Sequence, residues 1–252
     1  MGLLRLSRAG LLDEYWDYHP GQHVVAIGPT GNGKSWLMWQ LMQATMRQHP
    51  DLSYVALMPK PADPTTVAWA RTLNMRETPV WPPVRKLLAG KPDGYVVWPP
   101  HVMGVPPADR RKRVGEVLRA ALNDQYRKGR SVTLLDDAHS AAVMMNLNEH
   151  LEELLVNGRA GGSAGWISLQ KPSGSQATGS VTSFAYSSAT HLFLTRDNDE
   201  RNIKRFGEIG GVDPKQVEQV VRNLRLYRIG DNTVSEVLWI NLTGPYLALV
   251  GP

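Results

Sequence analysis

Short apolar runs alternate along this chain with longer stretches in which apolar residues return every three or four positions. "HVVAI" (His23–Ile27) reads as the first strand. Ser35–His49 follows with Met38, Met42 and Met46 four apart, a helical spacing. "SYVALM" (Ser53–Met58) is a second strand, trailed by the punctuated stretch "PKPADPT". "GYVVW" (Gly94–Trp98) is a shorter strand, ended by Pro99 and Pro100. Beyond Asp109, Val114, Val117, Leu118, Ala121, Leu122 and Tyr126 share one helical face. "SVTLLDD" (Ser131–Asp137) is a strand with two carboxylates at its C-terminal end. Leu147, Leu151, Leu154 and Leu155 mark a helix stopped by Gly158. "GWISLQ" (Gly165–Gln170) is a strand opening into "KPSGSQATGS", a loop by composition, and "HLFLT" (His191–Thr195) is the next strand.

This alternation predicts βα units around a mainly parallel sheet, an α/β fold. The tail differs. Asp213 caps a helix that opens on Pro214. "LYRIG" and "VSEVLWINL" then flank "DNT", the pattern of a hairpin. We expect an N-terminal arm over 1–20, a core over 21–200, and an appendage of the same domain over 201–252. The arm's leucines, interleaved with Arg5 and Arg8, are expected to pack on the domain or on a neighbouring subunit.

Composition narrows the class only modestly. The chain has 252 residues, no cysteine and a net charge of +5, which excludes disulfides and thiolate metal sites. Its basic balance favours a polyanionic partner mildly. No run of about 18 apolar residues exists, so no membrane-spanning helix is expected. We read no signal peptide at the start and expect an intracellular, cytoplasmic protein.

The chemistry concentrates after the first strand. "GPTGNGKSW" contains Gly28, Gly31, Gly33, Lys34 and Ser35 at the spacing G-x-x-x-x-G-K-[ST]. Glycines let successive backbone N–H groups face phosphate oxygens at the positive end of a helix. Gly28, Pro29, Thr30, Gly31, Asn32, Gly33, Lys34, Ser35 and Trp36 are therefore the candidate nucleotide-binding residues. Lys34 is placed to reach the β- and γ-phosphates, and the Ser35 hydroxyl to ligate Mg²⁺. Without a guanine-reading N-K-x-D, the expected nucleotide is ATP.

The second half of such a site is acidic. Asp136 is the candidate to hold Mg²⁺ and Asp137 the candidate general base toward the attacking water. The plainer alternative is that Asp137 caps the following helix. Related ATPases mostly carry Glu there; Asp is one methylene shorter. Gln170, ending the next strand, is a candidate γ-phosphate sensor, or else a strand-end amide. Arg159 in "VNGRAGG" is a candidate finger for a neighbouring subunit's phosphates, or else a helix-end cation.

The order of phosphate loop, acidic pair after "VTLL", then "GRAGGSAGWISLQKP" resembles the FtsK/HerA superfamily of DNA-translocating ATPases over roughly residues 20–200. The Gln170-Lys171-Pro172 strand end with an upstream Gly-Arg carries the likeness more specifically than the phosphate loop does. The resemblance implies a RecA-like P-loop core working as a homo-oligomeric ring, pentameric or hexameric, on double-stranded DNA. It implies that Arg159 acts in trans and that short basic loops contact the DNA backbone. Lys60, in the proline-stiffened "PKPADP", is the first DNA-contact candidate. Arg110, Arg111, Lys112 and Arg113 form the second, with a solvated charge run as the alternative. Binding through phosphates is expected to be non-specific and salt-sensitive.

"DDAH" (Asp136–His139) and "SAT" (Ser188–Thr190) resemble boxes of two-domain helicases, but a second RecA-like domain does not fit in the roughly 50 residues left after the first. The reading favoured is a compact viral genome-packaging motor, working in host cytoplasm and docked on a portal or capsid. The alternatives are a coupling-protein-like DNA-transfer ATPase of a plasmid or conjugative element, and a non-motor, ATP-dependent switch or scaffold using a surface rich in tryptophan.

Overall fold

The computed structural model describes residues 3–60, 63–84, 90–100, 102–172, 181–209, 213–230, 232–244 and 246–252. The chain opens with β1 (Leu4–Leu6) and one helical turn, α1 (Arg8–Gly10), capped by the Ser7 hydroxyl. The parallel core begins with β2 (His23–Ile27), α2 (Lys34–Gln48) and β3 (Ser53–Leu57). It continues with α3 (Pro64–Thr72), β4 (Met75–Thr78), β5 (Gly94–Val97), α4 (Pro107–Lys128) and β6 (Ser131–Leu135). Next come α5 (Asn148–Asn157), β7 (Ser163–Leu169), α6 (Val181–Ser188) and β8 (Ala189–Thr195). The last stretch holds α7 (Glu200–Ile209), α8 (Pro214–Asn223), β9 (Leu226–Ile229), β10 (Asn232–Ser235), β11 (Val237–Asn241) and β12 (Tyr246–Val250).

Ten strands form one sheet in the order β1-β12-β11-β8-β2-β7-β6-β3-β5-β4. From β8 to β4 every neighbouring pair is parallel, and β11 alone runs against its neighbours. Parallel strands need crossovers, which place helices on both faces. The side-chain period of two then divides each apolar run between two cores. Val25, Ile27, Val55, Leu57, Leu135 and Ile167 face α4 and α5. Val24, Ala26, Tyr54, Ala56, Leu134 and Trp166 face α2, together with Trp16 and Tyr18 from the N-terminal segment. Each large side chain buried this way contributes roughly 1.5–3 kcal/mol.

The patterning predicts most core elements within a residue or two. Helix α4 starts at Pro107, two residues ahead of Asp109, because proline suits the first helical turn. Four departures stand out. The stretch read as punctuation contains α3, capped by Asp63, whose carboxylate accepts from Thr66 N at 2.9 Å and from Thr66 Oγ1 at 2.7 Å. The N-terminal arm supplies an edge strand, with Leu4 opposite Ala248. In the tail, "VSEVLWINL" breaks at Glu236, whose carboxylate accepts from Arg225 N at 3.0 Å. Its first half pairs with β9 as the expected hairpin, while its second half enters the main sheet beside β8. The fourth concerns tryptophan: Trp16, Trp39, Trp98, Trp166 and Trp239 are buried, and Trp36, Trp69 and Trp81 are half-buried. Most of the aromatic surface that a scaffold reading needs is therefore core.

Most of "KPSGSQATGS", the two residues after Lys60 and Asp231 of the hairpin turn lie outside the described residues. Among the described residues no helix is long and apolar enough to cross a membrane.

Candidate active site

The phosphate loop hangs between the ends of three parallel strands. Gly28 N donates to Leu169 O of β7 at 3.1 Å. On the other side Asn32 Nδ2 donates to Thr195 Oγ1 at 3.3 Å and to Arg196 O at 2.8 Å, at the end of β8. Gly28, Gly31 and Gly33 all have positive φ, at 143°, 88° and 80°. That backbone turns the N–H groups of the loop inward before α2 begins at Lys34. The β9–β10 hairpin braces the loop: Ser235 N donates to Asn32 O at 3.2 Å, and a Cβ on Gly33 would meet Val234 at 3.0 Å.

Lys34 folds over its own loop, donating to Gly28 O at 2.6 Å and Pro29 O at 2.8 Å. Burial brings its ammonium down to about 8, opposed by Asp136 and reinforced by Lys60. Ser35 Oγ donates to Asp136 Oδ1 at 3.0 Å, which joins the start of α2 to the end of β6. Burial raises the Asp136 carboxyl against that hydrogen bond. One hydroxyl and one carboxylate side by side suit Mg²⁺, which takes few protein ligands and keeps water and phosphate oxygens for the rest.

Asp137 takes a left-handed backbone, φ 67°. Its Oδ1 accepts from Ser140 N at 3.2 Å and its Oδ2 from Ser140 Oγ at 2.7 Å, so it does cap the turn that follows. It also faces the cleft, where Lys60 Nζ lies 2.7 Å from Oδ2. Burial works to raise this carboxyl, but the hydrogen bonds from Lys60 and Ser140 outweigh it and hold the group below the usual carboxylate range. The left-handed backbone accounts for Asp in place of Glu, because short Asp and Asn side chains tolerate that region best.

Lys60 thus departs from the sequence expectation. The lysine expected at an outward tip for DNA points into the phosphate cleft and pairs with the candidate base. The cause is register: β3 and β6 are parallel neighbours with Leu57 opposite Leu135, so the residues just past each strand end meet. Trp98 Nε1 donates to Lys60 O at 2.7 Å and fixes the backbone there.

The cleft has a volume of about 990 Å³, and Gln170, Trp36, Lys34, Ser35, Asp136 and Asp137 all line it. Arg159 is not among them. It is exposed in the turn before β7, and its carbonyl approaches Gly21 at the opposite end of β2. Within one chain it cannot meet the phosphate loop. Of the basic run, Arg110 is half-buried and donates to Val105 O at 3.1 Å, holding its own turn rather than projecting. Lys112 and Arg113 are exposed and Arg111 is half-buried at the start of α4. That start follows β5, so these cations share the strand-end rim with the cleft. Thr195 and the β9–β10 hairpin are the parts of the site that sequence reasoning missed. A hydroxyl ending an apolar strand was the available signal for Thr195.

No family model matches the chain, and no curated protein matches it in sequence. Solved structures do match in shape. The genome packaging NTPase B204 from Sulfolobus turreted icosahedral virus 2, in complex with AMP, superposes with a TM-score of 0.57 at 14% identity, covering 93% of this chain and 99% of that one. The fold is the one these P-loop ATPases share. The DNA-packaging ATPase B204 from Sulfolobus Turreted Icosahedral Virus gives 0.56 at 16% identity over 93% and 99%. The cytoplasmic domain of the type VII secretion ATPase EccC of Thermomonospora curvata gives 0.52 at 16% identity, covering 94% of this chain but 26% of that one. This P-loop fold puts the cradle, the Ser35–Asp136 pair and Asp137 at one end of the sheet.

Proposed function

We propose that this chain hydrolyses ATP and uses the energy to move double-stranded DNA, as a subunit of a homo-oligomeric ring that packages a viral genome. The observation that carries the reading is convergence. Lys34, Ser35, Asp136 and Asp137 come from the starts and ends of different elements and meet in one cleft. The near full-length match to a packaging NTPase in fold supports the choice among P-loop functions.

In this reading the loop N–H groups and Lys34 bind the phosphates of ATP. Ser35 and Asp136 would hold Mg²⁺, which would supply charge neutralisation at the phosphates. Asp137 orients a water whose oxygen attacks the γ-phosphorus. The bond from that phosphorus to the β–γ bridging oxygen breaks, and Asp137 receives the water's proton as ADP and inorganic phosphate form. Gln170 senses the γ-phosphate at the end of β7. Arg159, on the far end of the sheet in its own chain, acts on the neighbouring protomer's nucleotide. Arg111, Lys112 and Arg113 contact the DNA backbone. The ring works in the host cytoplasm, docked on a procapsid.

ATP turnover with and without linear duplex DNA tests the reading. A motor's turnover rises with duplex DNA, and the rise collapses with added salt as counterion release dictates. Turnover indifferent to DNA at every salt concentration would point to the switch or scaffold class.

A further inference from the structure

Lys60 is the one cation besides Lys34 that lines the cleft among the described residues. It stands 2.7 Å from Asp137, while Asp136 and Ser35 occupy the adjoining wall. A terminal phosphate seated against Lys34 and Ser35 brings several negative oxygens next to two carboxylates. Like charges that close repel strongly in a half-buried cleft unless a cation lies between them. Lys60 is already in that place. Trp98 Nε1 donates to Lys60 O at 2.7 Å and holds its backbone. Its length still lets the ammonium swing by a few ångströms.

We propose that Lys60 is a γ-phosphate ligand supplied by the same chain, and that the Lys60–Asp137 pair is its resting position. When ATP binds, the γ-phosphoryl oxygens compete for the ammonium. Lys60 then bridges phosphate and carboxylate, while Ser140 keeps its hold on Asp137. ADP lacks the competing oxygens, so Lys60 stays on Asp137. The assignment rests on the nucleotide-site reading above and adds a group that distinguishes ATP from ADP.

The test is affinity for the non-hydrolysable β,γ-methylene analogue of ATP and for ADP, each with Mg²⁺, by titration calorimetry on the full chain. Lys60→Gln should weaken the analogue about 10- to 100-fold, the range of one charge-assisted hydrogen bond, and ADP less than about 2-fold. Lys60→Arg should keep most of the discrimination. Asp137→Asn, which removes the competing charge, should tighten the analogue and leave ADP unchanged. Equal weakening of both nucleotides by Lys60→Gln, or of neither, overturns the assignment. So does a Lys60→Gln variant that changes only the salt slope of DNA binding, which would restore this lysine to the DNA surface. Lys34→Ala is the separate control: it should lose both nucleotides, and failure there would sink the nucleotide site itself.

Discussion

Thr195 Oγ1 fills the space that a side chain on Gly28 would need. A Cβ placed on that glycine lies 1.9 Å from the hydroxyl, and φ at Gly28 is 143°. The contact locks the first residue of the phosphate loop against the end of β8. Gly28→Ala should therefore cost about 3 kcal/mol in urea unfolding, combining overpacking with backbone strain. Gly31 has open space around it, so Gly31→Ala should cost about 1 kcal/mol from its positive φ alone. Thr195→Ala in the Gly28→Ala background should recover part of the loss. Equal costs at both glycines would contradict this packing.

The left-handed backbone at Asp137 predicts an asymmetry between two replacements. Asp137→Asn fits the same conformation and should leave stability within about 0.5 kcal/mol while abolishing ATP turnover. Asp137→Glu should lose about 1 kcal/mol in thermal or urea unfolding and fail to gain activity, because the longer side chain does not suit positive φ. Faster turnover in Asp137→Glu at unchanged stability would show that the shorter residue is not imposed by the backbone.

Two buried histidines set a pH limit on the fold. His23 Nδ1 accepts from Gly165 N at 2.9 Å, and His191 Nδ1 accepts from Trp239 Nε1 at 3.3 Å. Both rings are therefore neutral. Burial lowers His23 to about 4, helped by the charge of Arg159, and lowers His191 to about 3. The unfolded chain, with histidines near 6.5, binds more protons in this window. Stability is thus full above about pH 6.5 and falls as pH drops toward 4, by roughly 1.4 kcal/mol per pH unit for each ring. Urea midpoints at pH 7.0, 5.5 and 4.5 should decline steadily; a flat profile from 7 to 5 would contradict neutral burial.

Arg159 lies at the opposite end of β2 from its own phosphate loop, so the proposed finger role requires a neighbouring subunit. Arg159→Ala and Lys34→Ala should each be nearly inactive alone. Mixed in equal amounts, some interfaces pair an intact loop with an intact arginine, and ATP turnover should partly return. No recovery at any ratio would remove Arg159 from catalysis.

The local parts of this site are legible in the sequence, and the long-range parts are not. Gly28, Gly33, Lys34 and Ser35 declare themselves because the cradle is one continuous turn between a strand and a helix. Asp136 is legible because a carboxylate at the end of an apolar strand has to face the rim of the sheet. The Lys60–Asp137 pair is not legible because the neighbours of Lys60 are prolines, which signal an exposed turn, while parallel register sets a partner 77 positions away. Thr195 and Val234 are likewise set by strand order: β8 lies beside β2, and the hairpin follows it back over the loop. Helix α3 was written in the chain as Asp63-Pro64, a cap followed by a proline suited to the first turn, and the nearby prolines obscured it.

Displacement of a third strand from linear duplex DNA measures the central claim most directly, since only a protein that travels along the duplex strips a triplex ahead of it. The wild-type chain should release the third strand with ATP, not with the β,γ-methylene analogue, and Lys34→Ala should release none. Sustained ATP hydrolysis on the same DNA with the triplex left intact would contradict a translocating motor.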